Sequence, residues 1–66
     1  KKHSVVIAGH QTSITLENIF WSKLKDIARN DAKSLKVLIT EIDKTRTTNL
    51  SSAIRVYILK RLDLNP

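Results

Sequence analysis

Residues 11–16, with the sequence QTSITL, place polar side chains at every odd position and the apolar Ile14 and Leu16 at even positions. A period of two is typical of a β-strand that buries one face. Ile14 and Leu16 lie on the apolar side of this strand. The uncharged polar residues Gln11, Ser13 and Thr15 share the other side. A lone strand leaves its backbone N–H and C=O groups unsatisfied, so this segment has to pair with a second strand.

Residues 4–8, with the sequence SVVIA, are also rich in β-branched side chains and predict a strand. If one strand ran unbroken through both segments, Val5 and Ile7 would fall on the polar face. A bulge or a turn at Gly9-His10 would remove this conflict, and glycine is suited to either. The sequence therefore leaves two alternatives open, a bent strand and a hairpin.

Two helices are predicted next, over about residues 18–30 and 34–46, because apolar residues recur there at i, i+3 or i+4, and i+7. The first apolar stripe consists of Phe20, Leu24, Ile27 and Ala28. Asn30 and Asp31 are expected to end this helix, since both residue types tolerate the left-handed conformation. The second stripe consists of Leu35, Leu38, Ile39 and Ile42, with Ser34 as the N-cap.

A third helix is predicted over about residues 51–62, after the polar run Thr47-Thr48-Asn49. Its stripe consists of Ile54, Ile58 and Leu62, widened by Leu50, Ala53 and Tyr57. The predicted fold class is mainly α, with N-terminal β structure followed by three helices. Residues 1–66 are expected to form a single domain.

A chain of 66 residues builds only a marginal core when it folds alone. It contains no cysteine, which excludes disulfides and thiolate metal sites. His3 and His10 lack clustered carboxylates, so no metal or other cofactor is expected. Oligomerisation remains as the source of added stability. We therefore expect a homodimer in which the strands of two chains pair antiparallel across a two-fold axis, with the helices covering one face.

The formal net charge is +6 and the sequence pI is about 10.1. A small basic domain attracts polyanions, of which nucleic acid is the commonest. No apolar run approaches membrane-spanning length and no signal-peptide core is present, so a cytoplasmic, nucleoid-associated location without membrane contact is expected.

The polar row Gln11, Ser13 and Thr15 has the chemistry that base recognition requires. A two-stranded ribbon fits the major groove of DNA, where glutamine can bond two positions of adenine and hydroxyls can donate or accept. The alternative is that the row is simply the solvated face of an amphipathic strand. The pattern alone does not separate the two interpretations.

The order of elements, together with the segment SITLENIFWSKLKDIARNDAKSLKVLI, resembles the ribbon-helix-helix superfamily of bacterial DNA-binding proteins, the Arc, MetJ and CopG type. The motifs GHQTSITLE, FW, EID and LSSAIRVYIL are more narrowly similar to a subfamily with an extra C-terminal helix. The resemblance extends over about residues 4 to 62. The turn between the first two helices, which usually contains glycine in the family, is Asp31-Ala32-Lys33 here.

The resemblance implies a homodimeric, sequence-specific DNA-binding protein, a transcriptional repressor that forms higher assemblies on DNA in some cases. It implies base contacts from Gln11, Ser13 and Thr15. It also implies that a phosphate is bound at the start of the second helix, and the expected phosphate-binding residues are Ser34, Leu35, Lys36, His10 and Lys33. The expected dimer core consists of Ile14, Leu16, Phe20, Trp21, Leu24, Leu38, Ile39 and Ile42.

Other functions fit these residues less well. No nucleophile–base pair and no glycine-rich phosphate loop is present, so enzymatic activity is not expected. A helix-turn-helix would use residues 34–46 as the recognition helix, with Lys36, Thr40 and Lys44 outward, but Glu41 and Asp43 there would repel phosphates. An antitoxin or a dimeric protein-interaction module of the same fold is the remaining alternative.

Overall fold

The computed structural model describes residues 2–7 and 9–64, with the backbone alone for residues 63 and 64. In chain order the elements are β1 (Lys2–Ile7), β2 (His10–Thr15), α1 (Asn18–Asn30), α2 (Leu35–Thr45) and α3 (Leu50–Leu64). The predicted mainly α architecture, with β structure ahead of three helices, is confirmed. The helix ends lie within two residues of the expected positions.

The two strands form an antiparallel hairpin, in a register that runs from Lys2 opposite Thr15 to Ile7 opposite His10. Gly9 precedes β2 with a φ of 80°, a left-handed conformation that glycine adopts without strain. The structure thus settles the open choice between a bent strand and a hairpin. Strand β1 begins at Lys2 rather than residue 4, and the predicted last residue, Ala8, lies outside the described residues. Pairing across a homodimer remains a prediction.

Residues directly opposite each other in an antiparallel pair share one face of the sheet. The face toward the helices carries His3, Val5, Ile7, Thr12 and Ile14. The outward face carries Lys2, Ser4, Val6, Gln11, Ser13 and Thr15. Strand β1 packs on α2 and strand β2 contacts α3, so the helices cover a single side of the hairpin.

The core lies between the inward sheet face and the three helices. Its buried hydrophobic side chains are Ile7, Ile14, Leu16, Leu24, Ile27, Ala28, Leu38, Ile39, Ile42, Ile54 and Ile58. Most of the residues expected in a dimer core are thus buried by elements of their own chain. Phe20 and Trp21 are half-buried beside this core, and the Trp21 ring stacks on His3 with 3.8 Å between centroids.

The predicted burial of Leu62 is wrong, since half of this residue is exposed. Helix α3 also exposes Val56 and Leu59, so it is apolar on more than one side. Helical spacing alone cannot decide which side faces the core in such a helix. Ile54 and Ile58, the other two residues of the predicted stripe, do lie in the core, and both are fully buried.

The turn between α1 and α2 is a Schellman motif. The Lys33 N–H donates to the Ala28 carbonyl at 2.9 Å and the Ala32 N–H to the Arg29 carbonyl at 3.1 Å. Helix α1 ends at Asn30 as predicted, but the left-handed residue is Ala32, with a φ of 56°. The expectation that Asn30 or Asp31 would adopt this conformation is wrong, because the Schellman bonds require it at the residue after the C-cap.

Candidate nucleic-acid interface

Gln11, Ser13 and Thr15 are exposed and lie on the sheet face that points away from the helices. Their neighbours on β1 are Val6 opposite Gln11, Ser4 opposite Ser13, and Lys2 opposite Thr15. Neither strand contains a carboxylate. The outward face therefore presents neutral hydrogen-bonding groups beside one cation, with no acidic side chain to repel a polyanion.

The outer edge of β2 is open to a further strand. Ile7 and His10 flank the hairpin connection, so they form a hydrogen-bonded pair, and such pairs alternate along the ladder. The peptide groups of Gln11, Ser13 and Thr15 consequently face away from β1. No other strand within residues 2–7 and 9–64 pairs with this edge. Apart from the Thr15 carbonyl, which accepts a hydrogen bond from Arg55 at 3.4 Å, its backbone groups can accept a strand from another molecule.

The start of α2 has the features of a phosphate contact. The Ser34 hydroxyl accepts a hydrogen bond from the Val37 N–H at 3.1 Å and caps the helix. Ser34 and Lys36 are exposed and Leu35 is half-buried. The N–H groups of a first helical turn carry a partial positive charge that favours anions. The capping role of Ser34 is compatible with an anion bound beside it.

Lys33 is engaged by a carboxylate, and His10 lies on the opposite sheet face from the polar row. The Lys33 ammonium lies 2.7 Å from Glu41 Oε1, and the hydrogen bond to this carboxylate raises the pKa of Lys33. His10 is exposed at the end of the hairpin, but its position opposite Ile7 puts it on the helix side of the sheet. Their role as phosphate contacts has less geometric support than that of Lys36.

Two ion pairs that sequence reasoning missed connect α3 to the ends of α1. Arg55 donates to both Glu17 carboxylate oxygens, at 2.9 and 3.3 Å, and to the Thr15 carbonyl at 3.4 Å. Arg61 binds both oxygens of Asp31, at 2.7 and 2.9 Å. These hydrogen bonds lower the pKa of Glu17 and of Asp31. No local pattern marks them, since the partners are 38 and 30 residues apart.

Glu17 occupies the N-cap position of α1. Its side chain forms no capping hydrogen bond and instead reaches Arg55. Arg55 thus compensates the negative charge of Glu17, which lies just after the end of β2 and close to the polar row.

The outward face of α2 offers little free hydrogen-bonding capacity for a helix-turn-helix contact. The Thr40 hydroxyl donates to the Lys36 carbonyl in its own helix at 2.8 Å. Asp43 accepts from Arg46 Nε at 2.7 Å. Both acids on this helix are thus engaged in ion pairs, Asp43 with Arg46 and Glu41 with Lys33.

Within the part of the chain that the structure describes, no three His, Cys, Asp or Glu side chains come together as metal ligands. Among the described helices, none has the length and apolar character needed to cross a membrane.

Comparison with known proteins gives one family. The family model described as the ribbon-helix-helix domain matches residues 1–62. No curated protein and no solved structure matches the chain. The matched range includes both strands and nearly all of α3, which agrees with the resemblance drawn from the sequence motifs.

Proposed function

Because the chain belongs to the ribbon-helix-helix domain family, whose members bind DNA and typically dimerise, we propose that it is a sequence-specific repressor of transcription. The family is typically non-enzymatic, and a nucleoid-associated location follows from the proposal. The observation that carries it is the exposed row of Gln11, Ser13 and Thr15 on the sheet face opposite the helices.

A homodimer would form through the outer edge of β2. Two copies of this strand, paired antiparallel about a two-fold axis at Ser13, would place both polar rows on one face. The helices of both subunits would lie behind that face. The paired β2 strands form a ribbon of the kind that enters the major groove.

In this dimer, β2 would contact the bases and the start of α2 would contact the DNA backbone. In the groove, Gln11 meets the donor and acceptor of an adenine edge, while the Ser13 and Thr15 hydroxyls donate or accept at neighbouring bases. At the start of α2, Lys36 and the first N–H groups bind a backbone phosphate and fix the position of the ribbon.

The test begins with selection of bound duplexes from a random library, followed by dissociation constants for the selected and for random DNA. Gln11→Ala and Thr15→Ala should each lower the ratio of specific to random affinity, by roughly 1–3 kcal/mol for every good hydrogen-bonded base pair that is no longer recognised. Both side chains are exposed, so folding should be retained. Lys36→Ala should weaken both affinities alike, because phosphate contacts carry no sequence information.

Thr40→Ala serves as the contrasting variant. A helix-turn-helix would lose specificity when Thr40 or Lys36 is replaced and would tolerate Thr15→Ala. If the specificity ratio is unchanged in Gln11→Ala and Thr15→Ala but collapses in Thr40→Ala, the ribbon does not recognise the bases.

A second function, protein association as in an antitoxin or interaction module, is favoured by α3. Val56, Leu59 and Leu62 are each about half exposed on this helix. Val56 also lines a cleft of about 440 Å³ between α3 and the end of α2, together with Ile42 and Tyr57. These apolar surfaces would also serve for contacts between dimers on DNA.

Sedimentation of the wild type and of Leu59→Lys, each with and without duplex DNA, separates this second function from the first. A lower assembly mass for the variant with unchanged DNA affinity would support association through α3. Identical masses would leave DNA binding as the proposed function.

A further inference from the structure

Strand β1 extends the polar row sideways on the same sheet face. Lys2, Ser4 and Val6 point outward in direct register with Thr15, Ser13 and Gln11, respectively. All three are exposed, and nearly half of Val6 is accessible. A sequence pattern alone did not assign them to this face, because the choice between a bent strand and a hairpin was open.

The dimer described under the proposed function would contain four strands, in the order β1, β2, β2 and β1. Neighbouring strands lie about 4.8 Å apart, so the two outer strand axes are separated by about 14 Å. The major groove is about 12 Å wide. The two β2 strands therefore fit within the groove, whereas each β1 strand lies at or beyond a groove wall, where the sugar–phosphate backbone runs.

We propose that β1 is a phosphate-binding strand, in which Lys2, assisted by the Ser4 hydroxyl, contacts the DNA backbone at the wall of the groove whose bases β2 reads. The inference rests on the proposed function and adds a backbone contact to it. Lysine is a cation on a flexible stem, suited to a phosphate, and serine can donate a hydrogen bond to a phosphate oxygen. No carboxylate in either strand competes for Lys2.

The charge distribution also indicates which sheet edge joins the two subunits. Lysine on an edge strand discourages pairing with another strand. The edge of β1 carries Lys2, whereas the peptide groups on the outer edge of β2 belong to the uncharged residues Gln11, Ser13 and Thr15. Pairing through β2 therefore leaves both copies of Lys2 at the outside of the sheet, facing the phosphates.

The experiment measures affinity for selected and for random duplexes across a series of salt concentrations. Each phosphate contact contributes about −0.9 to the slope of log K against log salt concentration, so Lys2→Ala should reduce the slope by about 1.8 in a dimer. If wild type and variant have equal affinities at 1 M salt, the same relation lowers the variant's affinity at 0.1 M salt by about 8-fold per contact, or about 60-fold per dimer. This holds for both kinds of duplex. Lys2→Arg should keep the slope near that of the wild type.

Lys44→Ala is the matched control, since it removes the same charge from an exposed lysine at the end of α2 opposite to the proposed phosphate contact. Its slope should stay close to the wild-type value. Circular dichroism melts of both variants show whether folding is retained; Lys2→Gln provides a second, longer replacement if Lys2→Ala melts early.

The outcomes separate the two proposals. If Lys2→Ala and Lys2→Gln keep the wild-type slope while Gln11→Ala lowers specificity, β1 does not bind phosphate and the proposed function stands. If the wild type binds no duplex in the selection, both proposals fail. A weakening confined to the selected duplex would also overturn the inference, because it would show that Lys2 contacts a base.

Discussion

Ala32 occupies a backbone conformation that its side chain disfavours, and Ala32→Gly should stabilise the protein. The φ of Ala32 is 56°, and the residue holds the position after the C-cap in the Schellman motif that ends α1. An L-residue in this region costs roughly 1–2 kcal/mol. Glycine removes that strain but adds about 0.4–1 kcal/mol of conformational freedom to the unfolded chain.

Because Ala32 is exposed, removal of its methyl group loses little packing. The net expectation is a gain of about 0.5–1 kcal/mol in the free energy of unfolding. For a domain of this size, 1 kcal/mol corresponds to about 4–8 °C, so Tm should rise by about 2–8 °C.

Thermal and urea denaturation followed by circular dichroism measure this gain. Wild type and variant must be compared at one protein concentration, because the proposed dimerisation would couple stability to concentration. Ala28→Gly, one turn earlier and buried in α1, is the control and should destabilise by at least about 1 kcal/mol. If Ala32→Gly melts at or below the wild-type temperature, the turn is not strained as described.

Three further outcomes are expected. Gly9→Ala should destabilise by about 1 kcal/mol in urea denaturation through backbone strain alone, because the φ is 80° and, apart from its chain neighbours, no described residue has an atom within 4 Å of an added Cβ. Ile14→Ser should abolish the cooperative thermal transition, since it replaces a buried core side chain at a cost of at least about 2 kcal/mol; a wild-type-like melt would contradict this. The arginine hydrogen bonds lower the pKa of Glu17 and of Asp31, so their stabilisation is complete above about pH 4.5 and is lost as pH falls through the lowered values. The urea midpoint should therefore fall below pH 4, less steeply in Glu17→Gln; equal slopes would refute the link.

The first two helices could be predicted from sequence because each has one apolar side. Leu24 and Ile27 of α1, like Leu38 and Ile39 of α2, are buried as their spacing indicated. In α3 the same reasoning failed at Leu62. Apolar residues lie on several sides of this helix, so their spacing does not indicate which side is buried.

Residue preferences alone do not determine whether the N-terminal segments form a hairpin, or which residue of the α1–α2 turn is left-handed. Both depend on the backbone geometry of the folded chain. Gly9 was compatible with a bulge as well as with a turn. Ala32 has no preference for a positive φ, and it adopts one because two hydrogen bonds at the end of α1 require it.

The candidate interface was predictable in part. Alternation alone places Gln11, Ser13 and Thr15 on one face, and the structure puts that face outside. The proposed contribution of Lys2 could not be predicted, because it follows from the strand register. The pairing of Lys33 with Glu41 was likewise hidden, since a single sequence does not show which charges meet in space.

Helix α1 is held to α3 at both of its ends, through its N-cap Glu17 and its C-cap Asp31. The partners, Arg55 and Arg61, belong to the same helix, so neither helix can separate from the other without breaking both ion pairs and exposing the shared core. The two helices should consequently open as one cooperative unit. Amide hydrogens at Leu24 in α1 and Ile58 in α3 should exchange with solvent at the same opening free energy, so α3 is an integral part of the folding unit that carries the β-hairpin.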